Sequence, residues 1–183
     1  MQIKKLFPVF IFLVGMVFSG YQCSSTELTS AKLYIQQKNY DKAIESLQKE
    51  VQKNPQSDEG YYLLGVVLGE KERYTEMVDA YSKSLSISKK FSENIASSKK
   101  YFWANLFNRG VNYYQMGAKA ADKDSMKLSF EKSINAFTSA IEIEPDSADT
   151  YKNLAFVHMS AQDYDKAISP LEKLIEKEGH IDG

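Results

Sequence analysis

Tyr40-Asp-Lys-Ala-Ile44 returns three more times along the chain, as Tyr74-Thr-Glu-Met-Val78, Phe130-Glu-Lys-Ser-Ile134 and Tyr164-Asp-Lys-Ala-Ile168. The intervals decide the fold. Starts 40 and 74 lie 34 residues apart, as do 130 and 164, and the middle interval of 56 is one more 34 with 22 inserted residues. A fixed period of this size marks stacked supersecondary units, each too small to shield its own apolar stripe from water. Within each unit a large apolar residue follows the first aromatic by seven positions, at Leu47, Tyr81, Phe137 and Leu171. Seven residues are two helical turns, so phrase and follower share one helix face.

A second helical segment precedes each phrase. It reads Leu28, Ala31, Tyr34 in the first unit and Tyr61, Leu64, Gly65, Leu68 in the second. In the third it reads Leu106, Gly110, Tyr113, and in the fourth Tyr151, Leu154, Ala155, His158. Two helices per period, only four Pro, and twelve Tyr with ten Phe to fill the space between helices predict an all-α chain. Lys and Arg number 23 against 24 Asp and Glu. That balance lacks the basic footprint that phosphate neutralisation demands, and argues against a nucleic-acid partner.

These residues resemble the tetratricopeptide repeat. That 34-residue pattern calls for Leu at place 7, Gly or Ala at 8, Tyr at 11, Ala at 20, Phe at 24, Ala at 27 and Pro at 32. Ala31, Gly65, Gly110 and Ala155 fill place 8, Ala43 and Ala167 fill place 20, and Pro55 and Pro145 close two repeats on time. Lys89 and Gly179 stand where the other prolines belong, and Met77 and Ser133 replace Ala. The resemblance implies a right-handed solenoid of about four helical hairpins, over residues 24–57, 58–91, 92–145 and 146–179, with a tail at 180–183.

The 22 extra residues divide into about eleven on either side of a third repeat beginning near Trp103. On the first side Phe91, Ile95, Phe102, Leu106 and Tyr113 fall within about 60° of one another on a helical wheel, which predicts one uninterrupted long helix leading repeat three. On the second side, Met116 to Leu128 reads as a lengthened loop, with Asp124 or Ser125 capping the following helix. Pro170, interior to the last helix, predicts a kink, because it removes a backbone donor at a cost of about 3 kcal/mol. No polar capping helix follows it, so the end of the array is an expected contact surface for a partner or for a second copy in a homo-oligomer.

The N-terminus reads differently. Lys4 and Lys5 precede an apolar run, Leu6 to Phe18, that is shorter than the roughly 20 residues a membrane-spanning helix requires. Residues 1–22 therefore read as a signal peptide. Cys23, the single cysteine, opens a polar stretch, residues 23–27, suited to a tether. This placement resembles a bacterial lipoprotein, in which such a cysteine carries acyl groups that hold the chain at the periplasmic face of the envelope. Gly20, Tyr21 and Gln22 fit that family's pattern imperfectly. Val17 and Ser19 offer an ordinary signal-peptidase site instead, which would leave a soluble periplasmic or secreted protein.

Residues for chemistry are sparse. His158 and His180 have no sequence company. His158 stands at place 11, normally Tyr, and reads as a core ring rather than a base or ligand. Glu142, Glu144, Asp146 and Asp149 straddle a helix end and the Pro145 turn, where solvated acids and a helix cap such as Asp146 are expected. No phosphate loop, nucleophile elbow or paired metal-ligand motif occurs, and the reading is a non-enzyme without cofactor or metal.

Binding is the remaining role. The resemblance places positions 2, 5, 9 and 12 of each first helix on a concave groove, which selects Leu28, Ile35, Tyr62, Val66, Phe107, Val111, Tyr114, Phe156 and Met159. This apolar row suits a peptide or helix of a protein partner. The carboxylate clamp of some family members is missing, with only Asn108, Asn153 and Lys152 matching in isolation. Two alternatives remain at this point: an open groove, or a face packed upon itself within a chain that self-associates or braces an envelope complex.

Overall fold

The computed structural model describes residues 25–179. Among these there are eight helices and no strand: α1 (Thr26–Gln36), α2 (Tyr40–Lys53), α3 (Asp58–Glu70), α4 (Tyr74–Ile87), α5 (Ser92–Ala118), α6 (Lys123–Ile143), α7 (Ala148–Ser160) and α8 (Tyr164–Gly179). Three of the four repeated phrases begin a helix at their first aromatic. The helices pack as four successive hairpins, α1 with α2 through α7 with α8. The expected signal peptide, Cys23 and His180 lie outside the described residues.

Local chemistry sets the helix starts. Ser25, Asn39, Ser57, Asp122 and Ser147 each stand one residue before a helix, and each side chain accepts a hydrogen bond from the backbone three residues on. Such a cap is typically worth about 1 kcal/mol. The cap of α6 is therefore Asp122, not Asp124 or Ser125, and that of α7 is Ser147, not Asp146, whose carboxylate instead faces Lys177 of α8.

The turns inside repeats one, two and four are built alike. Lys38, Glu72 and Gln162 hold the left-handed conformation, with φ of 55°, 58° and 64°. Each is followed by an N–H that reaches back over the helix end, Asn39 to Tyr34 O, Arg73 to Leu68 O and Asp163 to His158 O, all at 2.9 Å. These two features define the Schellman stop.

Repeat three departs from this plan. The expected loop between Met116 and Leu128 is mostly helix: α5 runs to Ala118, α6 begins at Lys123, and only residues 119–122 connect them. Packing explains the difference. A side-chain carbon on Gly117 would stand 2.6 Å from the Phe130 ring, so the two helices are in close contact at that level and the insertion prolongs both. The other insertion extends α5 backward to Ser92, giving the long helix that the sequence predicts.

Place 8 shows how the hairpins close. A methyl group on Gly65 would strike the Tyr81 ring, and one on Gly110 would come within 2.7 Å of the Phe137 ring. In repeats one and four the same place holds buried Ala31 and Ala155, and place 24 holds Leu47 and Leu171. In the two glycine repeats the ring occupies the space that the missing side chain leaves, as close packing requires.

Across repeat boundaries α2 packs on α3 and α6 on α7, but at the middle boundary α4 lies against α6 and α3 against α5. Tyr74 and Tyr81 of α4 still reach α5, through the Phe102 ring at 6.2 Å and the Ser98 hydroxyl at 2.6 Å. One apolar cluster spans repeats one and two and continues into Ile95, Phe102 and Leu106, while a second is built on Phe130, Phe137, Leu154 and Val157. Ion pairs bridge the repeats at Lys32–Glu59, Lys71–Asp41 and Arg109–Glu72. Partly exposed pairs of this kind contribute about 0–1 kcal/mol each, so the apolar clusters carry the fold.

Candidate partner-binding face

The row picked out from the sequence divides into two parts. Leu28 is buried, and Ile35, Tyr62 and Val66 are half-buried against the first apolar cluster. Tyr62 stacks on Phe91 with ring centres 4.5 Å apart and planes 8° from parallel, and it also faces Tyr81 at 6.4 Å. Phe107 meets Phe137 edge-on at 5.6 Å, and Tyr114 stacks on Phe130 at 5.9 Å. With Val111, these residues are half-buried against the second cluster. Each such aromatic pair adds about 0.5–1.5 kcal/mol beyond the area it removes from water, so these rings are committed largely to the chain itself.

Phe156 and Met159 differ. They remain 45% and 42% exposed on α7. The Ser160 hydroxyl donates to the Tyr114 hydroxyl at 3.3 Å, tying this end of α7 to α5. The open part of the row is therefore its fourth-repeat end. Asn153 donates to the Asp149 carbonyl of its own helix at 2.8 Å, and Asn108 and Lys152 are exposed.

A second apolar surface lies on α8. Tyr164, Ile168 and Ile175 are exposed, whereas their counterparts in α2, α4 and α6 are buried or half-buried. The contrast is largest between Ile168, 54% exposed, and Ile44, 6% exposed. Only the end of the stack leaves this stripe bare, because no further described hairpin covers it.

His158 sits in the core with its Nδ1 buried and without a hydrogen-bond partner, and burial lowers its pKa from the ordinary imidazole value. A ring so placed packs, and among the described residues its Nδ1 has no hydrogen-bond partner to orient it. Among the described residues no group of three His, Cys, Asp or Glu side chains could hold a metal ion, and no helix is long and apolar enough to cross a membrane.

One cavity among the described residues was not legible in the sequence. About 660 Å³ opens where α4, the backward extension of α5 and the α6–α7 turn converge, lined by Leu85, Ile95, Ala96 and Trp103 together with Lys89, Lys99, Lys100 and Glu144. Its walls come from three separate segments. No single periodic pattern could have disclosed it.

Residues 31–72 match the family model described as TPR repeat, and residues 58–91 match that described as Tetratricopeptide repeat. No curated protein matches the chain in sequence. Among solved structures the chain is similar to MamA, at 23% identity over 84% of this chain and 77% of that one, with a TM-score of 0.36. It is similar to TTC0263, a thermophilic TPR protein of Thermus thermophilus, at 17% identity over 84% and 75%, with a TM-score of 0.42. A third likeness is to YrrB, described as a TPR protein with an unusual peptide-binding site, at 18% identity over 82% and 84%, with a TM-score of 0.36. Residues 31–91 therefore carry tetratricopeptide repeats, and the described helices form an all-α solenoid of helical hairpins.

Proposed function

We propose that this chain is a non-catalytic protein-interaction scaffold of the bacterial envelope, held at the periplasmic face by acyl groups on Cys23, and that it receives a peptide or helix of a partner at the open end of its apolar row. The observation that supports docking is the exposure of Phe156 and Met159 beside a row whose other members are engaged internally. Large exposed apolar side chains that continue a packed surface are the usual hot-spot material of a protein interface. The anchor rests on the position of Cys23 directly after a signal-like segment.

Two substitutions test this reading together. A photo-crosslinking residue at Phe156, in cells expressing the full chain, should give one discrete adduct that is lost on Met159→Asp. The same residue at exposed Lys127 should give none. Cys23→Ser should release the protein from membranes. No adduct at Phe156, or unchanged fractionation of the serine variant, would refute the docking and the anchor respectively.

The bare α8 stripe favours a second reading, in which copies join end on and the chain braces a complex. Sedimentation of wild type against Ile168→Glu separates the two, since only a self-associating chain would lose mass on that change.

A further inference from the structure

The cavity between α4, α5 and the α6–α7 turn lies apart from the Phe156–Met159 surface. Leu85, Ile95, Ala96 and Trp103 supply its apolar lining, and three lysines and one glutamate line it with them. Lys99 approaches that glutamate, Glu144, at 3.9 Å, whereas Lys89 and Lys100 are exposed. The chain as a whole is net negative by one charge, so this concentration of cations is local. Ser92, Ala96, Lys99 and Trp103 all line the site and follow one helix face from residue 92 to 103. At 1.5 Å per residue the site extends about 16 Å along α5.

Chemistry and length together restrict the occupant. An apolar lining that also carries cations fits a ligand whose greasy groups are flanked by anions, because the lysines would lose attraction to a neutral or basic one. A groove of that length suits several consecutive residues better than one compact molecule. We infer that this groove binds an acidic peptide segment bearing apolar side chains, against a lining that includes Trp103, Lys89 and Lys100.

Trp103 also reports on the site, being the single tryptophan of the chain. Its indole N–H donates to the buried Thr150 hydroxyl at 3.1 Å, which holds the ring in place. The experiment titrates the mature chain with a synthetic peptide alternating Asp or Glu with Leu and Phe, and follows Trp103 emission. A saturable blue shift is expected, weakened at least tenfold by Lys89→Glu with Lys100→Glu, and weakened further by 0.5 M salt, which shortens the screening length to a few ångströms. Ala96→Phe, at an exposed position, should fill the groove and abolish the shift while leaving the melting temperature near that of wild type. A lysine-for-acid version of the peptide should give no shift. Equal binding of the basic peptide, indifference to Ala96→Phe, or saturation by laurate but not by the acidic peptide would overturn the assignment. Because Phe156 and Met159 are untouched in every variant, failure here leaves the docking surface above standing, and the reverse holds.

Discussion

The inner and outer repeats fill places 8 and 24 with different pairs of side chains. Repeats two and three set glycine against an aromatic ring, Gly65 against Tyr81 and Gly110 against Phe137, while repeats one and four carry alanine at place 8 and leucine at place 24. The consequence is asymmetric. Adding one carbon to an inner repeat meets a fully buried ring, whereas the outer repeats already accommodate that carbon.

A large effect should come from crowding this contact inside. Gly110→Ala is expected to cost about 1–3 kcal/mol, the usual range for overpacking a tight core. Phe137→Leu in the same chain should recover a substantial part of that loss, because the smaller side chain leaves room for the added carbon beside position 110. A double-mutant cycle by urea denaturation checks this. Strict additivity of the two changes would show that the ring and the glycine are not coupled.

A smaller effect distinguishes the fourth repeat, where buried His158 stands at the place that Tyr34, Leu68 and Tyr113 occupy elsewhere. Burial lowers its pKa, opposed by the carboxylate of Asp163 and reinforced by Lys166. Above the ordinary imidazole value of about 6.5 the ring is neutral in both folded and unfolded chains and stability does not respond to it. Below that value the unfolded chain takes up a proton that the folded one resists, so stability falls on acidification. Melting temperatures at pH 7.5 and 5.5 should therefore drop more for wild type than for His158→Phe. Parallel drops would place the imidazole in contact with water.

Much of this architecture is readable from spacing alone. Tyr40, Tyr74 and Tyr164 each open a helix, and the place-8 glycines Gly65 and Gly110 lie at the hairpin contacts where the resemblance puts them. The second insertion reads as a loop because its composition, Ala121-Asp-Lys-Asp-Ser125, is that of one. Its helicity comes from neighbouring packing, where Gly117 meets Phe130, together with a cap a few residues earlier at Asp122. The left-handed residues Lys38, Glu72 and Gln162 are equally invisible in sequence, since none is the glycine or asparagine that signals such a stop. The candidate site is legible as a list of side chains but not as an occupied or open surface. Whether Phe107 points at Phe137 or at solvent depends on how a hairpin closes, and periodicity does not encode that.

The division of the apolar row into a packed part and an open end is the claim on which the functional reading depends. It is tested most directly by measuring the unfolding free energies of Phe107→Ala and Phe156→Ala side by side. A loss of about 2–4 kcal/mol is predicted for Phe107, within the range for removing a ring from a core, and below about 1 kcal/mol for Phe156. Equal losses at the two positions would contradict this division, because they would mean that the face is open, or closed, along its whole length.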